Sequence, residues 1–98
     1  MQQGTTAPQA AAASSDPGTV LVRYWAGARA AAGVEQDQLD RSSTTTVQEV
    51  LAAAAELRPG LQPVLPACSV LLDGRAVPRG TALGAAGLIE VLPPFAGG

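Results

Sequence analysis

The sequence predicts a small α+β domain in which one amphipathic helix lies over a small mixed β-sheet. Three observations predict it. A single capped apolar stripe runs from Thr46 to the Pro59-Gly60 stop. Two short apolar runs, VLVRYW at residues 20–25 and LIEVL at residues 88–92, stand at opposite ends of the patterned region. Between helix and second run, SVLL, Asp73-Gly74 and Arg75-Ala76-Val77 read as a hairpin. One amphipathic helix covers one face of such a sheet and leaves the other partly bare, which points to a partner surface.

The 98 residues suffice for one domain. Residues 1–18, MQQGTTAPQAAAASSDPG, contain no Val, Leu, Ile or aromatic residue. Such a stretch buries too little apolar area to offset its ordering entropy, and it is read as a disordered tail. The folded domain is placed at residues 19–92 and an extended tail at residues 93–98. The run at 20–25 sets Val20, Val22 and Tyr24 on one face and Leu21, Arg23 and Trp25 on the other. Both faces carry large apolar groups, so the pattern leaves open which one is inward. Residues 27–33, GARAAAG, read as a loop or one helical turn. Residues 35–41 read as a weak edge strand, with Leu39 as the one large apolar residue inside it.

The helix is the clearest element. Thr46 and Glu49 stand at capping-box spacing, so that hydroxyl and carboxylate each satisfy a backbone amide of the first turn. Val47, Val50, Leu51, Ala54 and Leu57 follow as one stripe over a helix of about 12 residues. Arg58 sits in the last turn. After a loop with Pro63 and Pro66 come the hairpin strands, then Pro78 and Gly80, then Leu83 as a core plug supplied by a loop. The first and last runs are the most apolar and are expected to pair in the middle of the sheet. Pro93-Pro94 ends the last strand, because neither residue can donate to a ladder.

Composition excludes several functions. All six cations are Arg and the net charge is −2, which leaves no basic patch for nucleic acid. With no Lys and no His, catalysis by either and a His-ligated metal are excluded, and a single Cys cannot make a zinc cluster. Residues 1–18 are no secretory signal, no apolar run is long enough to span a bilayer, and the lone thiol fits a cytoplasmic protein. Cys68 reads as a small buried residue without a partner to lower its pKa. Arg23, Arg29, Arg75 and Arg79 read as solvated charges, and Asp73 and Glu90 as surface groups. Tyr24 and Trp25 are expected to divide between core and partner face.

The informative stretch is Leu92-Pro93-Pro94-Phe95-Ala96-Gly97-Gly98. Two prolines stiffen the exit, a lone Phe follows, and two glycines without Cβ atoms fit a channel too narrow for other residues. Together with Val22-Arg23-Tyr24-Trp25-Ala26-Gly27-Ala28-Arg29, Thr46-Val47-Gln48-Glu49-Val50-Leu51 and Asp73-Gly74-Arg75-Ala76-Val77, this stretch resembles the ThiS/MoaD family of small sulfur carriers. Those four segments correspond to the family's "VRYFA..R", "TV.EL", "NG..V" and "LPP..GG". The likeness extends over roughly four-fifths of the chain. One departure is visible: the Gly-Asp pair usual before the last strand is replaced by Gly84-Ala85-Ala86-Gly87-Leu88, whose missing carboxylate is expected to loosen that turn.

The resemblance implies the β-grasp, ubiquitin-like fold and a sulfur-carrying rather than catalytic protein. An adenylyltransferase resembling ubiquitin activators would use ATP and Mg²⁺ to activate the Gly98 carboxylate, and a sulfur donor would convert it to a thiocarboxylate. Gly98 is then the reacting residue. Gly97, Ala96, Phe95 and Pro94 would contact the partner, Gly97 for clearance and Phe95 as anchor. The chain itself would bind no cofactor and no metal. The Arg-aromatic first strand and Pro-Pro favour the small subunit of molybdopterin synthase, in a heterotetramer with the large subunit. The alternatives are a carrier for thiamin thiazole or cysteine synthesis, or a ubiquitin-like protein modifier. Without Lys, the chain could not build isopeptide chains on itself.

Overall fold

The computed structural model describes residues 18–94. The tail expected over residues 1–18, Gly18 apart, and residues 95–98 of the extended tail lie outside the described residues. Five strands form one sheet: β1 (Thr19–Tyr24), β2 (Gln36–Asp40), β3 (Ser69–Leu72), β4 (Arg75–Ala76) and β5 (Leu88–Leu92). Their order is β2-β1-β5-β3-β4. The first and last strands pair at the centre, as predicted, in parallel, with Val22 opposite Ile89 and Tyr24 opposite Val91. The other pairs are antiparallel, and the weak polar strand β2 is an edge.

The open question about β1 is settled by burial. Val20, Val22 and Tyr24 point into the core, where they meet Ile89 and Val91 of β5 and Val70 and Leu72 of β3. Above them lies helix α2 (Val47–Leu57; α1 precedes it in the chain). Its capping box is complete: Thr46 Oγ1 accepts from the Glu49 amide, and the Glu49 carboxylate accepts from the Thr46 amide. The amides of Val47 and Gln48 donate to the carbonyls of Thr81 and Arg79, so the first turn leaves no orphan donor among these residues.

Three elements differ from the sequence reading. The first is residues 27–33, which form most of a full helix, α1 (Ala26–Ala32), and its closing Gly33. Its alanines give no apolar stripe to read, and only Ala28 is buried. Gly33 closes it at φ 83°, its amide bonding to the Arg29 carbonyl. The second is Leu57, which is 50% exposed rather than part of the stripe. The inward line runs through Val47, Leu51 and Ala54 in steps of four and three, and the next step of four reaches Arg58. Ala55 completes the buried side.

The third is the loop after α2, which is built of two 3₁₀ turns, Pro59–Leu61 and Leu65–Ala67, burying Leu61 and Leu65. Arg79, read as a solvated charge, fastens this segment. Its guanidinium donates to the carbonyls of Leu65 and Cys68 at 2.9 and 2.7 Å.

The hairpin turn uses φ 48° at Asp73 and 83° at Gly74, the two positive values that a two-residue primed turn requires. The strand β4 ends at Ala76, one residue short of the expected length. Leu83 plugs the core from its loop, as predicted. The turn before β5 is held rather than loosened. Asp73 Oδ1 accepts from the amides of Gly87 and Leu88 at 3.1 and 3.0 Å, replacing the missing carboxylate from across the hairpin. On the other side the buried Arg41 donates to the carbonyls of Gly84 and Ala86, both at 2.8 Å.

Gly60 carries a second constraint besides ending α2. A Cβ there would fall inside contact distance of the Ala31 carbonyl oxygen and 3.3 Å from its carbon. The contacting atoms are α1 backbone, so they cannot swing aside. Gly60→Ala is therefore expected to destabilise the fold by about 1–3 kcal/mol in urea unfolding, whereas Gly80→Ala, which meets nothing, stays near zero.

Candidate functional site

The candidate site is the place where the tail leaves the sheet. The strand β5 is flanked on both sides, by β1 and β3, so its end is fixed by two ladders. On the β1 side the last rung toward the tail is the Trp25 amide donating to the Val91 carbonyl at 3.1 Å, and on the β3 side the pairing runs to Ser69 opposite Leu92. Beyond it, Leu92, Pro93 and Pro94 face Trp25 and Ala26 across a groove of about 260 Å³. Pro94, predicted as a partner contact, is exposed at the rim. Phe95, Ala96, Gly97 and Gly98 lie outside the described residues.

Trp25 and Tyr24 divide as expected. Tyr24 is 1% exposed, while Trp25 is 42% exposed on the sheet face turned away from α2. The same face carries the half-buried Leu21, Leu71, Leu88 and Leu92. The partly bare face anticipated from a single covering helix is thus present, and it is continuous with the tail root. The groove's own lining is apolar. It is formed by Trp25, Ala26, Leu92, Pro93 and Pro94.

The inward side of the same strand end is held by a polar cluster that the sequence reading missed. Tyr24 donates its hydroxyl to Asp37 Oδ2 at 2.8 Å, and Arg58 donates to both oxygens of Asp37, Nε to Oδ2 at 3.1 Å and an Nη to Oδ1 at 2.7 Å. This ties β1, β2 and the end of α2 together. Burial, then the bond to Asp37, pushes the Tyr24 hydroxyl far above the usual tyrosine range. The Arg58 bonds hold Asp37 below the ordinary aspartate value of 3.8, against the opposing effect of burial. The signals were present in two patterns. Asp37 alternates with Leu39 on the inward face of β2, and Arg58 continues the buried line of α2.

Cys68 is buried, its thiol donating to the Val64 carbonyl at 3.2 Å, and burial pushes its pKa up. Asp73 is an exposed carboxylate engaged by two amides. Arg29 and Glu35 form an exposed pair at 3.6 Å, worth little in water.

A sheet of this order, a covering helix and a stiffened exit from its central strand define the ubiquitin-like β-grasp class. Comparison with known proteins narrows the class. Residues 22–98 match the model of the ThiS family, and the chain belongs to that family. It is similar in structure to SAMP1 from Haloferax volcanii, with a TM-score of 0.74 and 26% identity over 83% of this chain and 100% of that one. It is also similar to a chain from the complex of subunits 1 and 2 of molybdopterin-converting factor from Helicobacter pylori. There the TM-score is 0.60 and the identity 25%, over 82% of this chain and 99% of the other. A putative molybdopterin-converting factor subunit 1 from Pyrococcus furiosus shares the fold, with a TM-score of 0.71, 18% identity and coverage of 81% and 100%. Among curated proteins no match was found. Within the described residues, no helix is long and apolar enough to cross a membrane.

The polar cluster fixes a pH dependence. Asp37 titrates lower in the folded state than unfolded, so its contribution is full above about pH 4 and is lost as the pH falls through its folded value. Acid titration of stability should show a loss below pH 4. Asp37→Asn should flatten that loss and cost about 1–3 kcal/mol at neutral pH by chemical denaturation.

Proposed function

We propose that this chain carries sulfur on the Gly98 carboxylate and serves as the small subunit of molybdopterin synthase. The observation that carries the reading is the exit from β5: a ladder-fixed strand, two prolines, and Gly97-Gly98 within the stretch matched by the ThiS family model. The likeness to a chain of the Helicobacter pylori complex supports a large-subunit partner. That partner would dock on the bare sheet face and take the tail into its own site.

A carboxylate is a poor acyl donor, because its charge repels nucleophiles and oxide leaves badly. Activation by a partner adenylyltransferase turns the leaving group into AMP. A sulfur nucleophile then attacks the carbonyl carbon, the C–O bond to AMP breaks, and a thiocarboxylate remains. The ATP, Mg²⁺, sulfur donor and acid–base groups belong to the partners. This chain contributes direction through Pro93 and Pro94, anchorage through Phe95, and clearance through Ala96, Gly97 and Gly98.

The likeness to SAMP1 favours a second reading, protein modification, in which the activated Gly98 is transferred to an amine of another protein. With no Lys in its 98 residues, the chain would give single adducts and no isopeptide chains.

Deleting Gly98, or replacing Gly97 with Leu, is expected to lower ATP–pyrophosphate exchange with an activating enzyme by at least about 100-fold while leaving thermal unfolding unchanged. Intact-mass analysis of the protein from its host should show a gain of about 16 Da localised to Gly98, not to Met1 or Trp25, whose oxidation adds a similar mass. Retained activation in the Gly98 deletion defeats the carrier reading. Amide-linked adducts without any thiocarboxylate would favour the modifier.

A further inference from the structure

Trp25 is the exposed aromatic side chain at the tail root, yet it is held from two directions. Its indole N–H donates to Glu90 Oε2 at 3.2 Å, and the Arg23 guanidinium carbon lies 5.4 Å from the ring centre. Arg23 and Glu90 stand opposite each other in the β1–β5 register, Arg23 two residues before Trp25 along the same chain direction and Glu90 on the neighbouring strand. At 42% exposure neither contact adds much stability, while fixing the ring costs rotamer freedom. What the arrangement fixes is a direction.

The geometry around the ring is consistent with that role. The chain turns immediately after the last rung, because Ala26 takes φ 46°. That turn carries Gly27 beneath the tail, and Pro93 Cγ lies 3.9 Å from where a Gly27 Cβ would stand. Pro93 thus passes over a glycine, with the indole, Ala26, Leu92 and Pro94 around the same groove. Proline fixes φ, so the orientation given to Pro93 passes along a stiff stem instead of being lost at the next bond.

We infer that Trp25, latched by Glu90 and Arg23, is a positioning residue that sets the direction in which the Pro93-Pro94 stem leaves the sheet. What the stem is aimed at rests on the carrier reading; the latch does not. An aimed stem loses less freedom on entering a partner's channel, so the latch acts on KM and not on kcat.

The chain has one tryptophan, which makes the test direct. Trp25 serves as donor to a dansyl group on Gly97→Cys in the full chain, the buried Cys68 being protected, and time-resolved energy transfer gives the distribution of distances. Glu90→Ala and Glu90→Leu are expected to widen that distribution about twofold and to speed the local depolarisation of the indole. Glu90→Gln, whose amide oxygen also accepts, restores both. In unlabelled protein, Glu90→Ala should raise KM for an adenylating enzyme about tenfold at constant kcat. An unchanged distribution in both acceptor-less variants, equal widening in Glu90→Gln, or a loss in kcat with KM unmoved overturns the inference. Failure of the parent chain to be activated at all counts against the carrier reading alone, since the energy-transfer measurement needs no partner.

Discussion

Val22 and Ile89 lie side by side at the centre of the sheet, joined in a parallel ladder between the first and last strands. Everything between them in the chain is, in effect, one long crossover. Parallel neighbours cannot be joined by a tight turn, and closing so long a loop has an entropic cost before any contact rewards it. The core offsets that cost only when α2 lays Val47, Val50, Leu51 and Ala54 over the two strands. This pairing also decides where the tail emerges. Because β5 has a neighbour on each side, the exit point is set by two ladders and does not shift with the edges.

Much of this was legible in the residues. Strand and helix periods, the Thr46–Glu49 box and the Asp73-Gly74 turn each have a local cause, and each appears where its chemistry places it. The central pairing of the two most apolar runs followed from the need to bury both. Helix α1 escaped notice because alanines carry no amphipathic stripe. Leu57 was misassigned because a step of three was taken from Ala54 where the inward line takes a step of four, to Arg58. Of the candidate site residues read from the sequence, Pro94 lies at the rim of the groove and Phe95, Ala96, Gly97 and Gly98 lie outside the described residues; the structure adds the groove and the indole at its base.

The polar anchors were the least legible part. Asp37 and Arg58 lie on the inward periods of β2 and α2, but nothing local in the sequence distinguishes Arg41 and Arg79 from solvated charges. Their partners lie far along the chain: Arg41 reaches the carbonyls of Gly84 and Ala86, and Arg79 those of Leu65 and Cys68. The turn before β5 is the instructive case. Judged locally it lacks a carboxylate, but Asp73 serves both its own turn and the amides of Gly87 and Leu88. One side chain thereby joins the hairpin to the start of the central strand. Polar groups of this kind take their partners from what the topology brings near, which spacing alone does not reveal, and among the described residues Arg41 Nε is left without one.

The parallel centre has a mechanical consequence. A molecule that grips the tail and pulls does so along the axis of β5, between two flanking strands. Traction in that direction loads the rungs to β1 and β3 together, in shear, instead of peeling them one at a time from an edge. Resistance to such a load is governed by the height of the unfolding barrier and not by equilibrium stability. A load applied through the stem therefore meets both flanking strands at once.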